Sequence, residues 1–195
     1  VGNAGGTDAG YTAGGTTTSI DYYKLVNDAN ELQAVATSEL STTYMLSDNI
    51  DASSISNFTP IGNSKTPFTG KFDGMFYEVQ GMSINTTDAN AGLFGVVSGS
   101  KARVENLGVV KSPIIASTDA DSSVGSIAGR VQNGALLQNV YSEGNTINAN
   151  GGSYAGGIAG SVVLSTVDVA YNTSTVENAA YSGGIAGTLD SGTIT

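Results

Sequence analysis

The sequence predicts an all-β protein of the β-solenoid class with one short N-terminal capping helix. Three observations point there. A glycine-rich unit recurs, as "AGLFG" at 91–95, "VGSIAG" at 124–129, "YAGGIAG" at 154–160 and "YSGGIAG" at 181–187. The closing glycines, Gly95, Gly129, Gly160 and Gly187, are 34, 31 and 27 residues apart, and an apolar residue follows each seven to nine positions later: Val104, Leu137, Val167 and Ile194. Finally, glycine and β-branched residues are too frequent for the helices that ankyrin or tetratricopeptide units of similar length require.

The elements follow in chain order. Residues 1–19 carry six glycines and almost no large apolar side chain, which predicts an extended Gly/Thr-rich arm. A single solenoid domain is expected over 20–195. Its helix is expected at about 28–37, where Asp28 can cap, Glu31 stands three residues on, and Leu32, Val35 and Ala36 share a face. "TTYMLSDNID" alternates Tyr44 and Leu46 with polar neighbours and reads as a strand, the first of irregular coils over 42–90. Repeats fill 91–195. Each is read as three short strands, on the pattern "AGGIAGSV", "STVDVAY" and "TSTVENA", with every strand stacked on its counterpart about 4.8 Å away. In the first of these, Tyr154, Gly156, Ile158, Gly160 and Val162 are expected on one face.

The repeat glycines Gly92, Gly95, Gly125, Gly129, Gly156, Gly157, Gly160, Gly183, Gly184 and Gly187 are therefore structural candidates, placed where a Cβ would block close backbone approach. Asn106 and Asn139 follow Val104 and Leu137 by two places and read as a ladder of stacked corner residues, with Val169 in that place in the third copy. The chain stops at Thr195, part-way through a repeat. That reads as an uncapped edge, to be completed by flanking repeats of a longer protein or by another copy of the chain.

Composition narrows the function. Glycine accounts for 27 of 195 residues, and charged residues for 12% against a usual share of about 25%. There is no cysteine and no histidine, so thiol chemistry and the commonest metal ligands are excluded. With 7 basic and 17 acidic residues, a net charge of −10 makes nucleic acid and anionic lipid poor partners. No apolar run reaches the length of a membrane helix, so membrane insertion is not expected.

From Asp28 onward the order of elements resembles bacterial surface and secreted proteins carrying GLUG motifs, including filamentous-haemagglutinin-like adhesins. The resemblance rests on "ELQAV", "YMLSDNID", "FTPIG", "FTGKFDG" and "GLFG", followed by the "GGIAG" repeats. It departs at Met75, Phe76 and Tyr77, where the family tends to an Asn-Gly turn, and this predicts an exposed or intermolecularly buried aromatic cluster. It departs again in placing Ile-Ala between the repeat glycines, which should narrow the coil. The resemblance implies a right-handed parallel β-helix on an extracellular or bacterial cell surface.

The expected function is accordingly a non-enzymatic structural and adhesive module. It would be a rigid rod with attachment loops near 53–67 and 111–123, and with host or matrix glycans as possible partners. The alternatives are a head-to-tail filament subunit and a polysaccharide-acting enzyme. For the enzyme, candidate acids are Asp119, Asp121, Asp168, Glu177 and Asp190, with few bases to accompany them. No cofactor is expected; the Asp119/Asp121 pair is the one place for a weak calcium site.

Overall fold

Short runs of β-branched residues broken by glycine and asparagine favour strands of a few residues joined by tight corners, and that is how the chain is built. The computed structural model describes residues 12–13, 16–17, 23–116 and 121–195. It is a parallel β-solenoid of about five turns. One coil runs through four strands, Ala128–Gln132, Leu136–Glu143, Thr146–Asn148 and Tyr154–Gly156. Strand upon strand, the coils form one wide nine-stranded sheet and three four-stranded sheets. Following the chain from the wide face, the latter are the second face (through Thr146–Asn148), the third face (through Tyr154–Gly156) and the fourth face (through Ala128–Gln132).

The register matches the sequence periodicity. Val104, Leu137, Val167 and Ile194 pair in one column of the wide face, and Gly125, Gly156 and Gly183 pair on the third face. On the fourth face Phe94 is followed in register by Ala128, Ala159 and Ala186. The core thus passes from aromatic to small aliphatic filling. Its N-terminal part holds Tyr44, Phe68, Phe72 and Phe94, all fully buried. Phe72 meets Phe94 edge-on at 5.3 Å between ring centroids, and Phe68 lies 5.0 Å from Phe94.

The three-strand coil expected from the sequence is corrected to four. "AGGIAGSV" is two strands, Tyr154–Gly156 and Ala159–Val163, separated by a bend at Gly157 and Ile158. The single strand face expected for Tyr154 to Val162 is broken by that bend, although every residue from Ala155 to Val162 is buried. The reason is the corner itself. A Cβ on Gly125, Gly156 or Gly183 would lie 2.4, 2.0 or 2.0 Å from the carbonyl oxygen of Ala128, Ala159 or Ala186. Three successive coils therefore close the same bend by omitting the same atom.

The helix spans Ala29–Val35, shorter than the expected 28–37. Asp28 Oδ1 accepts from the Glu31 N–H at 2.9 Å, and Glu31 Oε2 accepts from the Asn27 N–H at 2.8 Å. The helix ends early where the Ser38 and Thr37 hydroxyls donate to the Ala34 carbonyl, at 2.7 and 3.2 Å, a competition that side-chain hydroxyls commonly win at helix ends. Leu32 and Val35 are fully buried in the core beside the first coil. Gln33 fixes the helix to the neighbouring loop through two bonds to the Thr59 backbone. Asp28→Ala should cost about 1 kcal/mol, read as a lowered urea midpoint with unchanged slope.

Of the arm expected over 1–19, only Thr12–Ala13 and Thr16–Thr17 are described, and they pair antiparallel with each other. The remainder of the arm lies outside the described residues.

Candidate functional surfaces

Backbone geometry at the corners decides which residues can present themselves. Asn106, Asn139 and Val169 all bend the wide face with left-handed φ of 54°, 53° and 50°, a region that asparagine tolerates and valine does not favour. Asn139 Nδ2 donates to Asn106 Oδ1 at 2.9 Å, and Asn106 Nδ2 donates to Asp73 Oδ1 at 3.0 Å. The ladder thus has a third member, Asp73, one coil earlier. It ends at Val169, which has no amide to continue it and is 60% exposed.

A second polar column is buried at the corner between the wide and second faces. The Met82 N–H donates to Ser112 Oγ, the Ser112 N–H to Asn145 Oδ1, and the Asn145 N–H to Ser174 Oγ, at 3.1, 2.7 and 2.9 Å. Asn145 Nδ2 also reaches the Val109 carbonyl at 2.7 Å and Ser142 Oγ at 2.9 Å. Each coil's corner amide is satisfied by the next coil's side chain. The serines and asparagine that do this alternate in type, which hid the column from a search for identical residues. Asn145→Ala should cost about 2 to 3 kcal/mol, since it strands the buried Ser112 N–H and Val109 carbonyl. Chemical denaturation checks it.

The glycines fall into classes by what a Cβ would strike. Gly95, Gly129, Gly160 and Gly187 press on the preceding coil, at Gly62, Ala91, Val124 and Ala155, with separations of 2.3, 2.6, 2.2 and 2.6 Å. Gly92 and Gly157 press on the following coil, 2.6 Å from the Gly125 carbonyl oxygen and 2.1 Å from that of Gly184. Gly184, the counterpart of Gly157 in the last described coil, differs: a Cβ there meets nothing within 4 Å among the described residues.

The outer surface carries stacked aromatics. Tyr141 and Tyr171 pair in register, with rings 5.0 Å apart and 3° from parallel. Tyr154 and Tyr181 lie 5.6 Å apart at 22°. Tyr141 leans over Gly108, where no side chain obstructs it, and donates to Glu78 Oε1. Partial burial, and then that bond to a carboxylate, raise its phenol well above the ordinary range. Phe76, at φ 66° beside Met75 at φ 52°, is 73% exposed at a turn of the wide face.

Among the described residues, the acids considered for catalysis are not brought together. Asp119 lies outside the described residues. Asp121 and Asp190 are exposed. Glu177 accepts from Asn148 Nδ2 at 3.2 Å. Asp168 accepts from Thr195 Oγ1 and Gln138 Nε2, both at 2.7 Å, and these two bonds, in that order, hold its carboxyl below the ordinary carboxylate range. Among the described residues no group of three or more Asp and Glu side chains is placed to hold a metal ion. The expected attachment loops are partly built into the solenoid. Pro113–Ile115 is a second-face strand, and Phe58 and Ile61 are buried, with Ile61 and Phe68 bridging to Phe94 and Val97.

A cleft of about 500 Å³ lies at the corner between the fourth face and the wide face. Lys71 and Lys101 line it with the hydroxyls of Ser41, Thr43, Thr69 and Ser100. Sequence reading missed it because its residues come from three coils. Among the described residues no helix is long and apolar enough to cross a membrane.

No family model matches the chain. An alignment of 120 positions that covers 55% of this chain is 32% identical to Halomucin of Haloquadratum walsbyi, of which it spans about 1%. In structure, the chain is similar over 90% of its length to a Bacteroides ovatus protein described as a candidate immunoglobulin A1 protease. The TM-score is 0.63, the identity is 19%, and 65% of that protein is covered. The chain is thus similar in sequence to a small part of a very long protein, and in fold to a larger one.

Proposed function

We propose that the chain is a non-enzymatic structural and attachment module of an extracellular surface protein, a rigid β-solenoid segment of the kind the GLUG-type resemblance implies. The coil-on-coil register carries this reading. It threads one apolar core through the described coils, with Val104, Leu137 and Val167 fully buried in a single column. The likeness to a brief stretch of the very long Halomucin supports a segment within an extended surface protein. A head-to-tail filament is the second reading, favoured by the same register, which a second copy could continue strand on strand.

The test pairs binding with turnover. Purified protein is incubated with neutral and acidic polysaccharides and with immunoglobulin A, and both retention and cleavage are followed. Retention of a glycan without new reducing ends or peptide fragments is expected. Catalytic cleavage of either class would contradict the reading.

A further inference from the structure

We propose that the cleft holding Lys71 and Lys101 is a binding site for acidic glycans, meaning polysaccharides that carry scattered carboxylate or sulfate groups among free hydroxyls. This rests on the attachment reading above and names the ligand class for it.

The cleft is an electrostatic exception. The chain carries −10 overall, yet the lining of this cleft contains two lysines and no carboxylate. Arg103 stands in register beside Lys71 on the adjoining strand, so three of the chain's seven basic residues meet here. None of the three is in an ion pair among the described residues, whose one pair is Lys24 with Glu39 at 3.2 Å. The nearest carboxylates along the same strands are Asp73 and Glu105, two residues further on and paired with each other in register. Asp73 is turned to the corner, where its Oδ1 accepts from the Met75 N–H and from Asn106 Nδ2. An acidic group entering the cleft would therefore meet cations with their charge unspent.

The remaining lining selects the rest of the ligand. Ser41, Thr43, Thr69 and Ser100 present hydroxyls that can donate to or accept from the hydroxyls of a sugar ring. Tyr23 stands in the Thr43–Lys71–Arg103 column at 43% exposure, offering a ring edge or face at the margin. Nucleic acid fits poorly. Three cations neutralise few phosphates, and the net negative charge repels a polymer ionised at every residue. A sparsely charged polyol satisfies both the cations and the hydroxyls.

The experiment measures retention of the full chain on lightly carboxymethylated dextran, lightly sulfated dextran, unmodified dextran and a DNA oligonucleotide at low and high salt. Wild type is compared with Lys71→Gln/Lys101→Gln and with Arg130→Gln, a fourth-face basic residue outside the lining of the cleft. Binding to one or both acidic dextrans is expected, at least tenfold weaker in the Lys71/Lys101 variant, unchanged in the Arg130 variant, and weakened by salt. The two acidic dextrans separate carboxylate from sulfate as the preferred group. Equal binding by the Lys71/Lys101 variant, or equal binding to unmodified dextran, would overturn the site while leaving the attachment reading standing. DNA binding as tight as that of the acidic dextrans would overturn the glycan assignment. Retention on none of the dextrans would overturn the site, and the attachment reading would then fall if the wider glycan panel also gave none.

Discussion

Gly156→Val should unfold the protein or destabilise it by about 3 kcal/mol or more, the upper end of what overpacking costs, while Gly184→Val in the same repeat position plus one should leave the melting curve unchanged. The Gly156 Cβ would sit 2.0 Å from the Ala159 carbonyl oxygen and 2.7 Å from both Ala186 Cα and the Ile185 carbonyl oxygen. All three are backbone atoms, which cannot rotate aside as a side-chain tip can. Relief would require opening the corner and separating two coils. At Gly184 the same added atom meets open space. Thermal melting of the two variants against wild type decides it: equal melting for Gly156→Val would remove the close-packed corner as the reason for the glycine repeat.

Phe94→Ala should cost about 3 to 5 kcal/mol. Phe94 is fully buried and touches both Phe68 and Phe72, at the point where the fourth-face column changes from phenylalanine to alanine. Removing the ring would leave a void between Phe72, held by strand register on the wide face, and Phe68, bridged to Val97 on the fourth face. By contrast, Ala128 and Ala159 fill the equivalent place in later coils, where Ile127 and Ile158 complete the core. Cavity cost, measured by denaturant midpoint at unchanged slope, should therefore be specific to the early coils.

Much of this architecture was legible in the sequence because a solenoid writes its register into its spacing. Val104, Leu137, Val167 and Ile194 were matched by counting, and they are one physical column. What periodicity could not supply was the bend inside "GGIAG". Glycine favours both a strand with close approach and a corner, and only the position of the Ala159 carbonyl distinguishes them. Alternation failed for the same reason: a corner places Gly156, Ile158 and Ala159 all inside. The helix was found from its cap, but its end was not, because Thr37 and Ser38 compete for the Ala34 carbonyl. The Ser112–Asn145–Ser174 column and the lysine cleft were invisible for a different reason. Each joins residues of different types from successive coils, so no single motif carries either.

The four-stranded coil, stacked in parallel and in register, is tested most directly by engineered disulfides, because the chain has no cysteine of its own. Gln138 and Asp168 are register partners on the outer wide face, whereas Gln138 and Tyr171 are three residues out of register. Neighbouring strands place Cα atoms about 4.8 Å apart, within the span that a disulfide bridges, and a three-residue offset exceeds its limit of about 7 Å. Under mild oxidation Gln138→Cys/Asp168→Cys should close to a monomeric disulfide with an unchanged circular dichroism spectrum, and Gln138→Cys/Tyr171→Cys should remain reduced. Closure of the second pair, with none in the first, would contradict the register and with it the stacked coil.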